Sequence, residues 1–353
     1  MNKKENFHNK HELFTEKICQ TSGLLPHRYV FILTNHCNLR CNFCFLHKRS
    51  QNFSMSVEDW LLLLKQLPDY ARVTFSGGEP LIFSGFKEVF ADTAQHFDCN
   101  LITNGLLLNE ELIDFMLSFP RFKVLSVSID NIGNSLRGVT KKQWDHLEKM
   151  LLYFINRRMK FESHECVLDV KTMVLDKNAD ELLDIHRYCI EKLRCDHHVY
   201  QFLKGSPIQH ADHMFTVEDI QKKSYAPVYK KFEKIKKELN RIREYNVHNA
   251  KKAFLHPKID SLTTVHPLNN IDCINEAEHN KKKFLPCKFP WSSVHVNSDG
   301  NLFPCMAVSM GNIKNTSLYN IINGKTFTSF RDLIQKKGTV EGCNRCGWLR
   351  PNT

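Results

Sequence analysis

Short apolar runs alternate with longer amphipathic stretches along the first two hundred positions of the chain. The first run, residues 29–33, is almost wholly apolar, as expected of a strand covered on both faces. Residues 56–67 follow, with Ser56 and Asp59 at capping-box spacing ahead of Trp60 and a run of leucines, which predicts a helix. A second strand is expected at 72–75. It ends in Ser76-Gly77-Gly78-Glu79-Pro80, a stretch that regular structure does not tolerate. The pattern then predicts a helix at 85–97, a strand at 99–103 ending in Thr103-Asn104-Gly105, and a helix at 109–118. Next come a strand at 123–129 ending at Asp130, a helix at 140–157 opened by Thr140 and Gln143, a strand at 166–174, a helix at 179–192 and a strand at 198–203.

Six strand–helix units at a period of roughly 30–40 residues are the βαβ signature of a parallel sheet. Right-handed crossovers curl such a sheet into a barrel, so the expected fold class is α/β, a partial (β/α)6 TIM-like barrel. Reactive groups in such folds sit on the loops after the strands' C-terminal ends. The unusual residues fall there: a cysteine group after strand one, Gly77 to Pro80 after strand two, Asn104 after strand three, Ser128 and Asp130 at the end of strand four.

After residue 205 the alternation stops. Residues 221–260 hold 12 Lys and Arg against 4 acids. Residues 229–245 predict an amphipathic helix with Phe232, Ile235, Leu239 and Ile242 on one face. From about 266 the chain turns to cysteines, turn residues and short strands. The expected organisation is an N-terminal extension at 1–27, a barrel at 28–205, a basic helical linker at 206–265 and a further domain at 266–353.

No apolar run is long enough to cross a membrane, and the polar N-terminus shows no secretory signal. Both argue for a cytoplasmic protein, where disulfides rarely persist. Yet the 353 residues include 13 cysteines. The odd number excludes a fully paired framework and leaves metal ligation, catalysis or inert burial. Two groups stand apart: Cys37, Cys41 and Cys44, and Cys287, Cys305, Cys343 and Cys346.

Three thiolates in one short loop leave one iron of a [4Fe–4S] cube open to a ligand other than protein. The run Cys-Asn-Leu-Arg-Cys-Asn-Phe-Cys at 37–44, with Phe43 before the last cysteine, resembles the radical S-adenosylmethionine (SAM) superfamily, and Gly77-Gly78-Glu79-Pro80 matches that family's second motif. The resemblance covers about residues 28–205. It implies that SAM chelates the open iron and is cleaved reductively to a 5′-deoxyadenosyl radical that abstracts a substrate hydrogen. The strand-two loop would bind the methionine amino group, its glycines allowing close approach and Glu79 supplying an anion for the ammonium. Asn104, Ser128 and Asp130 lie where the family contacts ribose and carboxylate. An external electron donor such as flavodoxin or ferredoxin is implied as well.

In the second group, Asn297 to Asn301 between apolar flanks predicts a hairpin that brings Cys287 and Cys305 together. Cys343-x-x-Cys346 completes four thiolates. Spacing alone permits a structural zinc site or a cluster. The Cys-x12-Gly-x4-Cys hairpin with its later Cys-x-x-Cys resembles the SPASM auxiliary-cluster domain, and more closely its single-cluster form, twitch. That resemblance implies one fully ligated auxiliary [4Fe–4S] cluster, able to take up an electron, and so favours net two-electron oxidation. Cys273 is a further candidate ligand. The remaining five cysteines are expected to be small buried hydrophobes.

The twitch pattern includes an alcohol-oxidising enzyme of aminoglycoside biosynthesis, so the leading expectation is oxidation of a small polar, sugar- or cyclitol-like metabolite. The alternative is a maturase acting on a ribosomally made peptide. The intact motifs argue against a zinc-stabilised binding protein. The formal charge of +11 is compatible with a solvated helix face or with an acidic substrate. No aromatic-interleaved basic platform points to nucleic acid. Lys171 and Lys204, at strands five and six, are candidate groups for the proton that an oxidation releases.

Overall fold

The structure, a computed structural model, describes residues 13–21, 23–44, 55–160, 165–209, 213–223 and 225–352. Residues 1–12 of the expected N-terminal extension lie outside the described residues. Six strands occupy the expected positions: β1 Arg28–Ile32, β2 Arg72–Ser76, β3 Asp98–Thr103, β4 Phe122–Ser128, β5 Val167–Val174 and β6 His197–Phe202. The intervening helices are α1 Val57–Leu64, α2 Phe86–His96, α3 Glu110–Leu117, α4 Lys141–Arg158 and α5 Leu182–Arg187. Both expected capping boxes form, Ser56 with Asp59 and Thr140 with Gln143.

The alternation runs one unit further than the sequence pattern indicates. Helix α6, Phe232–Asn249, buries Phe232, Ile235, Leu239 and Ile242. It leads to β7, Ala253–His256, which pairs parallel with β6. Four residues inside a basic stretch are too short a run to announce a strand. Helix α6 also starts later than expected, because Tyr229 serves as an anchor ahead of it: its hydroxyl donates to Val174 O and accepts from Leu203 N–H. The expected helix at 179–192 is instead α5 continued by one π turn, Tyr188–Lys192. After the short helix α7, Phe289–Ser292, strand β8 Ser293–Val296 pairs parallel with β1 and antiparallel with β9 Asn301–Phe303. Strand β10, Gly311–Asn312, extends that hairpin, and α8 Leu318–Ile322 and α9 Lys325–Lys337 follow.

Among the described residues the sheet order is β10-β9-β8-β1-β2-β3-β4-β5-β6-β7. The barrel is therefore partial. Its seam between β7 and β8 is filled by the C-terminal segment: the Trp348 ring lies 3.9 Å from Phe289, 5.8 Å from His256 and under the Arg28 guanidinium at 5.6 Å. Outward strand residues such as Phe31, Phe75, Leu101 and Val127 pack against the helices with no exposure, Phe31 against Trp60 at 4.8 Å. Inward residues alternate with them and are largely polar: Arg72, Thr74 and Ser76 on β2, Asp98 and Asn100 on β3, Asp169 and Lys171 on β5. A polar interior is not filled by packed aliphatic layers, and it encloses a cavity.

Candidate active site

The cysteine loop after β1 and the glycine loop after β2 are built against each other. Gly78 N–H donates to Thr34 O at 2.8 Å and Glu79 N–H to His36 O at 2.7 Å. A Cβ on Gly78 would stand 2.1 Å from His36 O, and one on Gly77 2.6 Å from Thr34 O. The glycines are thus required by loop-on-loop contact, with both residues still on the cavity wall.

This changes the role of Glu79. The expected anion for an ammonium is fully buried and already engaged: its carboxylate accepts from Thr103 Oγ1 at 2.7 Å, Asn104 N–H at 2.8 Å and Leu81 N–H at 3.2 Å. Burial pushes its carboxyl up from the ordinary value against those donors. Glu79 and the buried Pro80 therefore tie the β2 loop to the β3 loop and do not reach the cavity. Asn104 does line the cavity, and its side-chain amide donates to Asn38 Oδ1 at 2.7 Å, bracing the cysteine loop.

Cys37, Cys41, Phe43 and Cys44 all line the cavity. Cys44 N–H donates to Cys41 O at 3.0 Å, and Leu39 N–H points at Cys37 Sγ at 3.4 Å. Burial pushes the Cys41 thiol up, with Cys44 and Cys37 adding repulsion and Arg137 opposing it. Asp130, expected at the ligand, is also turned inward. It is fully buried, accepts from Met173 N–H at 2.7 Å and pairs with Arg137 Nε at 2.7 Å. Arg137, not Asp130, faces the cavity, its guanidinium 5.3 Å from the Phe43 ring centre. The sequence pattern missed Arg137 because it lies in an irregular Asn- and Gly-rich turn. Ser128 lines the cavity. Asn178, in the turn after β5, is buried and donates to Asp130 O and Met173 O.

The second cysteine group converges from three segments. The β8–β9 turn closes through Gly300 N–H to Asn297 O at 2.9 Å, with Gly300 at φ +87. Cys343 and Cys346 are joined by a bond from Cys346 N–H to Cys343 O at 2.9 Å. The thiols sense one another. Burial pushes Cys287 up to about 12 with Cys346 adding to it, and burial together with Cys287, Cys346 and Cys343 holds Cys305 well above its ordinary value. By themselves such groups stay neutral thiols, and they become thiolates when a metal centre supplies positive charge. Backbone N–H groups of Phe289 and Val340 also point at Cys287 and Cys343 Sγ, both at 3.4 Å, as suits sulfurs of a cluster. Among the described residues no three His, Cys, Asp or Glu side chains converge tightly enough to hold a single ion. Cys273 stands apart: burial raises it to about 12, and its charged neighbours are Glu276, Lys283, Asp260 and Asp272.

Both groups meet one cavity of about 1740 Å³. It runs from the C-terminal strand ends, at Ser76 and Thr103, to the N-terminal ends, at Arg28, Arg72 and Asp98. Cys346 lies on its wall. Lys204 sits where the charges of both Cys346 and Cys44 reach it, and burial pulls its amine down to about 7. Lys171 is held by Asp169 at 2.7 Å, which also accepts from Ser126 Oγ at 2.9 Å. Part of the basic stretch is spent elsewhere, since Lys231 and Lys234 pair with Asp180 and Lys236 with Asp272. Among the described residues no helix is long and apolar enough to cross a membrane.

Comparison with known proteins agrees with this architecture. The radical SAM superfamily model matches residues 31–189, and an iron–sulfur cluster-binding domain model, SPASM, matches 287–347. The sporulation killing factor maturation protein SkfB of Bacillus subtilis (strain 168) is 28% identical over 169 residues, covering 47% of this chain and 40% of its own. An S-adenosylmethionine-dependent nucleotide dehydratase of Selenomonas ruminantium is 27% identical over 161 residues, 43% of this chain and 58% of its own. The chain thus spans about half the length of the curated relatives it matches. Among solved structures, Streptococcus suis SuiB bound to precursor peptide SuiA superposes with a TM-score of 0.61 at 16% identity, over 93% of this chain and 72% of its own. The chain therefore carries the radical SAM domain of that superfamily and a C-terminal SPASM iron–sulfur domain, and with them the sites for SAM and [4Fe–4S] clusters as cofactors.

Proposed function

We propose that this radical SAM enzyme modifies a peptide, with Cys37, Cys41 and Cys44 holding the SAM-binding cluster and Cys287, Cys305, Cys343 and Cys346 an auxiliary one. The observation that carries the peptide reading is the cavity. At about 1740 Å³ it exceeds the roughly 300–1,000 Å³ of ordinary small-molecule sites, leaving room for several residues beside SAM. Its mouth includes the exposed, apolar Tyr225 and Val265, which suit peptide side chains. SkfB is a maturation protein and SuiB was solved with a precursor peptide, so the relatives favour this substrate class over the small sugar-like metabolite that the cysteine pattern suggested.

Bound SAM supplies a radical that removes hydrogen from carbon, and the auxiliary cluster supplies a nearby electron acceptor. The chain's own residues do the rest. The backbone of Gly77 and Gly78, with Asn104, Ser128 and Arg137, contacts SAM. Asp130 positions Arg137, Glu79 and Pro80 fix the loop, and Phe43 packs beneath the guanidinium. Lys204 takes up the proton that an oxidised substrate releases, and Lys171 orients the peptide. A flavodoxin- or ferredoxin-type protein supplies the electron for SAM cleavage. The test is co-expression with each short open reading frame encoded beside the gene. A peptide that loses two hydrogens in step with 5′-deoxyadenosine formation is the expected result. Turnover stimulated by a nucleotide or sugar, with no peptide altered, would overturn it.

A further inference from the structure

Among the described residues, twelve Lys and Arg line the cavity against three acids, Asp98, Glu165 and Asp169, and of the twelve Arg137 is paired with Asp130 behind the wall. The cofactors do not cancel this excess. A three-thiolate and a four-thiolate [4Fe–4S] cluster together with SAM add a net charge of only about minus two. The imbalance is sharpest at the N-terminal end of the barrel, far along the strands from the first cysteine loop. Arg28 and Arg72 are register partners on adjacent strands. Burial pulls Arg72 down to about 9, the neighbouring Arg28 charge adds to that, and Asp98 opposes it. Asp98 is itself shared with Arg121 at 3.7 Å. Arg28 donates to a neutral group, Ser293 Oγ, at 3.2 Å, and lies over Trp348. With Asp98 facing both Arg72 and Arg121, the floor keeps a net positive charge that a further carboxylate would lower, and guanidinium forks match carboxylates.

We infer that the peptide segment entering this cavity is acidic, with a carboxylate drawn to the Arg28–Arg72 pair at the barrel floor. This deepens the peptide reading and rests on it. The excess charge also attracts such a peptide along the cavity before contact is made.

Two fluorescein-labelled dodecapeptides test it on the anaerobically reconstituted holoenzyme with SAM: a Gly-Glu repeat and its Gly-Gln counterpart, followed by anisotropy. The Gly-Glu peptide should bind at least about ten-fold more tightly at low salt, and the gap should shrink as salt screens the charges. Arg72→Gln should weaken the Gly-Glu peptide at least about five-fold and leave the Gly-Gln peptide within about two-fold. Lys123→Gln, at a half-buried position on the same floor, should act in the same direction and keeps the test open if the Arg72 variant misfolds. Equal binding of the two peptides, or no binding of Gly-Glu, overturns the acidic class while the co-expression result still decides the peptide reading. A nucleoside triphosphate that binds and turns over while neither peptide binds overturns both.

Discussion

Asp130 Oδ2 lies 2.7 Å from Arg137 Nε, and the pair fixes the one guanidinium that reaches from the β4 loop to the first cysteine loop. Asp130 is fully buried and Arg137 nearly so, so removing either charge strands the other. Loss of one member of such a pair costs about 3–5 kcal/mol. Asp130→Asn should therefore lower Tm and also raise the Kd for SAM, because Arg137 is no longer aimed. Arg137→Gln should raise the Kd at least about ten-fold, and Arg137→Lys should restore little of it, since an ammonium lacks the fork. Equilibrium dialysis with labelled SAM, alongside thermal melts, separates the two effects.

Gly78→Ala places a methyl 2.1 Å from a backbone carbonyl, His36 O, which is no flexible tip able to turn aside. The two loops must separate, at a cost of roughly 1–3 kcal/mol, and the cysteine loop moves with them. The expected outcome is loss of the first cluster with the second retained, about four irons per chain in place of about eight. Iron analysis and electron paramagnetic resonance after anaerobic reconstitution check this.

The six barrel strands were legible because outward apolar residues recur against the helices, and their boundaries fall within a residue or two of expectation. The direction of the polar residues was not legible. Glu79 and Asp130 stand at strand ends where a ligand-facing acid and a protein-facing acid look alike in sequence; only the partners, Thr103 and Asn104 for one and Arg137 and Met173 for the other, separate the cases. Strand β7 was hidden by its length. Arg28 and Arg72 were hidden because a single charge at the start of a buried strand reads as a solvent-facing end, whereas here both face the cavity.

The two cysteine groups should come apart by function. Cys41→Ala should leave about four irons and abolish 5′-deoxyadenosine formation. Cys343→Ala should also leave about four irons yet still cleave SAM, because the first group is untouched, while substrate oxidation fails. Zinc in place of the second set of irons, measured by mass spectrometry of the native protein, would count against the auxiliary cluster.

Histidines that the fold keeps neutral make stability acid-sensitive, among them the buried His186 and His295 and the half-buried His279. Burial pulls His186 and His279 down to about 4 and His295 to about 3. In the unfolded chain each takes up a proton near pH 6.5. Above that value both states are neutral and the histidines contribute nothing to the pH dependence. Below it the unfolded chain binds more protons, so stability falls as pH drops from about 6.5 towards 4, by up to about 1.4 kcal/mol per unit for each histidine. Denaturant midpoints across that window measure the slope. His279→Gln should flatten it.

Lys204 provides the sharpest test of proton handling. Burial holds its amine near 7, while Cys346 and Cys44, from the two separate cysteine groups, pull it back up. A lysine lowered this way is protonated below its midpoint and can accept a proton only above it. Product formation should therefore rise with pH through a midpoint near 7. SAM cleavage measured without product should not follow the same curve, because that step needs no base. Lys204→Met should remove the rise and slow product formation by about 10²–10⁴-fold, with 5′-deoxyadenosine still released. Equal loss of both activities would instead assign Lys204 to holding the cysteine loop, since one charge that reaches both groups can also serve to keep them together.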